Sequence, residues 1–189
     1  KVTKGDHAEI ILRETPFYAE GGGQVGDIGE IRGPQCLVQV LDTLSPIQGL
    51  TIHLGEILEG QLAIGESAHA IVDSARRLDI IRNHTGTHLL HASLRQVLGP
   101  QVRQAGSLVA HDRLRFDFTH TSSISQADLN AIEGIVNDKV MENLAVTHVT
   151  MSYQEAVTLG ALAFFGDKYG DDVRTCRIGP SKDGESFSF

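Results

Sequence analysis

The pattern of the sequence changes near residue 75, and this change constrains the fold more than any other feature. Before it, the short β-prone runs AEIILRE, CLVQVLD, LTIHLG and SAHAIVD are separated by Gly, Pro and Asp punctuation. After it, helical and strand patterns alternate. Residues 79–98 read as a helix, and SLVA and RLRFDFTH read as strands joined by a turn at His111–Asp112. SISQADLNAIEGIVNDKVMENL reads as a second helix, capped by Ser125 with Asp128 and striped by Leu129, Ile132, Ile135, Val136 and Val140. The strand AVTHVTMS follows, then a short helix SYQEAVTLG with Ser152 and Glu155 at its start and Gly160 as its stop, then the strand DVRTCRIG. The expectation is an α+β chain. A β-rich, barrel-like domain covers 1–75, and an α+β domain with helices packed on a sheet covers 76–189.

Composition narrows the class. Hydrophobic residues make up 41% and charged residues 21% of the 189, enough to bury a core. No apolar run approaches the roughly 18 residues that span a bilayer, so no membrane partner is expected. The first residues, KVTKGDHAEI, lack the apolar centre of a signal peptide. A cytoplasmic protein, or a piece of one, is the expectation. Cys36 and Cys176 form no CxxC pattern and read as small buried strand residues rather than a disulfide. Net charge is -8, yet the segment from Arg76 to Arg115 carries seven arginines against Asp79 and Asp112. Such a segment suits either a solvated face or a grip on a few phosphates.

Two stretches carry candidate chemistry. In RNHTGTHLLHASLRQVLG, His84 and His88 stand four residues apart, and His91 follows at a spacing of three. Four-residue spacing stacks two imidazoles on one helical face, which supplies half of a zinc site. The residue after His84 is Thr85, where a metalloprotease carries its general-base Glu. His91 reads as an exposed residue or one that backs the face. The second stretch is ETPFYAEGGGQVGDIGE. Its glycines permit positive φ and a close approach of backbone to ligand, and successive amides can hold an anion. It lacks the strand–turn–helix context of a dinucleotide fingerprint.

These residues resemble a known family. RNHTGTHLLHASLRQVLGPQVRQAGSLVAHDRLRFDFTH is similar to the editing domain of alanyl-tRNA synthetases and of free-standing alanyl-tRNA deacylases, and more distantly to the second additional domain of threonyl-tRNA synthetase. The histidine motif, the Gln104–Ser107 segment, LRFDF and GALAFFGDKYGDDVR come in that family's order, and ETPFYAEGGGQVGD resembles its glycine-rich motif. The resemblance implies a hydrolase that removes serine or glycine wrongly esterified to tRNA(Ala), acting at the acceptor end of the tRNA. It implies that His84 and His88 are zinc ligands and that Thr87 and Gln104 recognise the misacylated amino acid. Gly21, Gly22, Gly23, Gln24 and Ser107 would lie near that pocket, with Lys168 and Arg174 toward the tRNA. ATP would serve only an aminoacylation domain that is not in this sequence, and the remainder of the synthetase would be a partner.

One departure stands out. The family completes its metal site with a Cys-x-x-x-His motif after RIG, whereas this sequence reads RIGPSKDGESFSF. The expectation is a chain cut before its last two ligands. Two other readings are a non-catalytic tRNA-binding module of the same fold and a zinc hydrolase acting on another substrate.

Overall fold

The computed structural model describes residues 1–159 and 172–179, and the backbone of 187–188. The chain forms two compact units: Lys1–His84 with Ser107–Arg115, and Thr85–Gly106 with Phe116–Phe189.

The first unit is built on antiparallel strands β1 (Val2–Thr3), β2 (His7–Ile10), β3 (Gly29–Gly33), β4 (Cys36–Ile47), β5 (Leu50–Leu62) and β6 (His69–Val72). Their order is β1-β5-β4-β3-β6, with β2 also pairing β5. This path is open: among the described residues no pairing joins β6 to β1 or β2, so the barrel-like expectation reduces to a six-stranded antiparallel sheet. Period-two alternation makes the core. Cys36, Val38 and Val40 of β4 and His53, Gly55 and Ile57 of β5 are buried. Val38 faces Ile57 and Val40 faces Gly55 across the ladder. Ile10, Phe17 and Ile31 complete the cluster.

Two of the differences from the sequence reading turn on glycines. Gly55 reads as the end of LTIHLG, yet β5 continues to Leu62. A Cβ at Gly55 would stand 2.6 Å from Val38 Cγ1, so this glycine makes room for a facing side chain rather than stopping the strand. β3 starts at the end of the glycine-rich stretch and runs past it, and Ile31 alone carries the apolar signal of a strand.

The remaining elements are α1 (Ser74–Leu98), β7 (Gln104–Val109), β8 (Leu114–Phe118), α2 (Gln126–Met141), β9 (Val146–Ser152), α3 (Tyr153–Thr158), β10 (Asp172–Ile178) and β11 (Phe187–Ser188). Among the described residues the order αββαβαβ from α1 to β10 is the expected one. α1 begins five residues before the expected start because Asp73 caps it, its carboxylate accepting from the Arg76 N–H at 3.0 Å. Ser125 caps α2 by accepting from the Asp128 N–H, and Ser152 caps α3 by accepting from that of Glu155. Gly160, expected as the α3 stop, lies outside the described residues.

β9 pairs antiparallel with β10, and β10 with β11. In the second unit Leu89 and Ala92 of α1 pack with Ile178 of β10, with Val136, Leu144 and Cys176 against them. Leu94, Val102 and Ile132 form a further cluster beside Phe116 and Phe118. The α2 stripe is only partly used: Ile132 is buried, but Leu129 and Val140 are exposed. Both cysteines are free; Cys36 is buried and Cys176 half-buried.

Candidate functional site

The glycine-rich stretch folds into a tight turn in the first unit. Gly21 and Gln24 exchange backbone hydrogen bonds at 3.1 and 3.0 Å, with Gly22 and Gly23 between them at φ +60° and +83°. Left-handed backbone at two successive positions is open to glycine at little cost. The Tyr18 hydroxyl donates to the Gly21 carbonyl at 3.0 Å. The turn then docks on β7: the Val109 N–H donates to the Gly23 carbonyl at 2.7 Å, and the Val25 N–H to the Val109 carbonyl at 3.1 Å. Gly23 lies so close to Ser107 that a Cβ there would collide with the Ser107 hydroxyl and stand 2.8 Å from its carbonyl oxygen.

Gln24 is buried, and its Oε1 lies 2.6 Å from Nδ1 of His84 on α1. The first unit therefore brings together Gly23, Gln24, His84 and Ser107, residues from three separate motifs.

The start of α1 anchors the same loop. The buried Asp27 accepts the Tyr18 N–H at 2.6 Å and forms an ion pair with Arg77. Arg77 also donates to the Pro16 carbonyl at 2.7 Å, and Arg76 to the Gly26 carbonyl at 2.8 Å. Sequence reasoning did not single out Asp27 or assign Arg77 this role. The partners are 50 residues apart, and no local spacing signals them.

Other members of the arginine-rich segment also have partners within the protein. Arg95 donates to the Pro100 and Val102 carbonyls, Arg82 to Asp79, and Arg113 to Asp112. Much of that positive charge serves local architecture.

In the second unit Thr87 is buried and His88 half-buried on α1. Gln104, half-buried, opens β7. Arg174 is exposed on β10, opposite Thr150 of β9. Lys168 lies outside the described residues. His91 is not exposed: at 3% exposure it packs against Phe116, with ring centroids 5.0 Å apart. Burial lowers its pKa, and the nearby Arg95 charge adds to the effect.

As donors for zinc, His84 and His88 suit the ion chemically and stand one helical turn apart. Among the described residues no group of three or more His, Cys, Asp or Glu is placed to hold a metal. A tetrahedral zinc set needs four donors, of which two imidazoles would be half.

A family model for class II (A) tRNA synthetases matches residues 1–76. The chain is 52% identical over 176 residues to an alanine–tRNA ligase of Acetivibrio thermocellus, covering 93% of this chain and 20% of that protein. It is 49% identical over 184 residues to the enzyme of the same name from Anaeromyxobacter sp. strain Fw109-5, covering 97% and 20%. With that of Chloroflexus aurantiacus the identity is 48% over 174 residues, covering 92% and 20%. The chain spans about a fifth of the length of these relatives. With about half of its residues identical along nearly its whole length, the chain corresponds to a segment of the alanine–tRNA ligases.

Proposed function

We propose that the chain is the editing region of an alanine–tRNA ligase, hydrolysing the ester that wrongly joins serine or glycine to the 3′ adenosine of tRNA(Ala). One observation carries this reading. The glycine turn, the Gln104–Ser107 segment and the histidine helix, three motifs far apart in sequence, contribute neighbouring residues to one compact unit. The identity to alanine–tRNA ligases supports it further.

The chemistry gives a reason for such a site. Serine differs from alanine by one hydroxyl and glycine by one methyl. A binding pocket separates such pairs by only about 10- to 200-fold, so errors must be removed afterwards. In this reading Thr87 and Gln104 recognise the misplaced amino acid, Gln104 through an amide that both donates to and accepts from a serine hydroxyl. In the same reading Gly21, Gly22, Gly23, Gln24 and Ser107 would serve substrate binding, and Lys168 and Arg174 would serve binding of the tRNA. His84 and His88 would hold zinc, which when bound supplies a Lewis acid that activates water or anchors the 3′ end. Its remaining ligands would come from a Cys-x-x-x-His motif that this sequence does not contain. ATP belongs to the aminoacylation reaction elsewhere in the synthetase, and the cytoplasm is the compartment this function implies.

The test is deacylation by a protein carrying this sequence joined to the next segment of the ligases. It should turn over Ser-tRNA(Ala) many times and spare Ala-tRNA(Ala). Replacing Gln104→His should change that discrimination by about 5- to 150-fold, the effect of one lost buried hydrogen bond. Equal hydrolysis of both esters would sink the editing assignment. Binding of tRNA without turnover would leave a non-catalytic tRNA-binding module.

A further inference from the structure

We infer that Gln24 is a positioning residue for His84: it selects the imidazole tautomer whose Nε2 carries the lone pair, and so readies that nitrogen for a metal. The argument starts from the 2.6 Å contact between Gln24 Oε1 and His84 Nδ1. A carbonyl oxygen only accepts, so the ring nitrogen facing it must carry the proton. In a neutral imidazole the other nitrogen then holds the lone pair. Metal-bound histidines are characteristically held this way, with the non-ligating N–H donated to an oxygen that fixes both tautomer and ring orientation.

Gln24 is well built for the task. Its side chain is buried, with the residue 9% exposed. Its backbone is bonded on both sides to Gly21 and bridges to Val109. A buried side chain on a backbone fixed at both ends has few rotamers to lose when it orients a partner. The glycine motif would then act on the site through protein, by fixing a ligand, as well as by offering backbone to a substrate.

The metal consequence rests on the zinc reading above, but the tautomer claim does not, and the experiment separates them. The His84 ring nitrogens are assigned by ¹⁵N NMR in the metal-free 189-residue chain near pH 8, with His84→Gln identifying the resonance. The wild type should show protonated Nδ1. Gln24→Leu should release the ring toward a tautomer mixture. Gln24→Glu, whose carboxylate accepts from the same N–H, should restore the wild-type pattern. Co²⁺ and Zn²⁺ titrations of the chain joined to the next segment of the ligases should then show affinity falling about 10- to 100-fold in Gln24→Leu and recovering in Gln24→Glu.

A merely structural glutamine would not give this reciprocal pattern. A wild-type His84 protonated on Nε2 overturns the inference without recourse to any variant, which guards against a Gln24→Leu chain that fails to fold. An unchanged tautomer in folded Gln24→Leu overturns it equally. If the chain joined to the next segment of the ligases takes up neither metal, the zinc reading fails, while the tautomer measurement still decides the role of Gln24.

Discussion

Two adjacent glycines in the turn separate backbone strain from steric space. Gly22 and Gly23 both have positive φ, but a Cβ on Gly22 would meet nothing within 4 Å whereas one on Gly23 meets Ser107. Gly22→Ala should therefore cost only the left-handed backbone term, about 1–2 kcal/mol. Gly23→Ala adds overpacking and should lose about 2–4 kcal/mol. Urea unfolding of the two variants measures the difference, and equal losses would mean that the docking on Ser107 is loose. His53 gives a second test at this scale. It is fully buried on β5, with Nδ1 2.8 Å from the Ile10 carbonyl and Nε2 2.7 Å from the Thr15 hydroxyl. The Phe17 ring meets it edge-on. Nδ1–H donates and Nε2 accepts, so the neutral ring is satisfied. Burial lowers its pKa, against the raising effect of the Ile10 carbonyl. Below the ordinary value of 6.5 the unfolded chain then binds more protons than the folded one. The stability from a neutral His53 is complete above pH 6.5 and is lost as the pH falls through the folded value. His91, also lowered by burial, acts in the same direction. Urea midpoints should be level near pH 7.5 and fall as the pH drops below 6.5, less steeply in His53→Gln. A midpoint that rises on acidification contradicts this.

At the scale of the element, α1 does more than display histidines. Its first turns hold the glycine loop through Arg76 and Arg77. Asp27 is 1% exposed, so removing Arg77 leaves a carboxylate in the interior without its ion-pair partner. The Arg77 side chain is itself about one-third exposed, which lets solvent screen part of the interaction. Arg77→Met should therefore cost about 2–4 kcal/mol, toward the lower end of a fully buried pair. Combining it with Asp27→Asn should recover part of the loss, and a double-mutant cycle on unfolding free energies checks the coupling. Additive losses would remove the ion pair from the account. The element boundaries show what could be read in advance. The Ser125 and Ser152 caps lie three residues from the amides they accept and are plain in the sequence. The Asp73 cap is equally local but has no apolar pattern beside it to mark it, because that of α1 becomes clear only later. β3 and the far half of β5 were hidden for another reason: their glycines answer to facing chains, and glycine in isolation reads as punctuation.

For the whole molecule, each unit has its own apolar clusters, centred on Val38, Val40 and Ile57 in one and on Leu89, Leu94 and Ile132 in the other. On the proposed reading His84 and His88 are two of four zinc donors, so metal should add little to folding in this chain. The 189-residue protein should purify with low zinc content, and EDTA should leave its melting temperature nearly unchanged. One zinc per chain surviving dialysis against a chelator would show that further ligands complete the site. Residue types, periodicities and nearby caps were legible from the chain alone, because each depends on neighbours within a turn of helix or a step of strand. So were the candidate motifs, as separate stretches. Only the tertiary structure decided that Gln24 meets His84 across 60 residues, that Arg77 closes on Asp27 across 50, and that His53 and His91 are interior. These are outcomes of packing: the burial of distant apolar faces chooses which polar groups meet, and no local propensity encodes that choice.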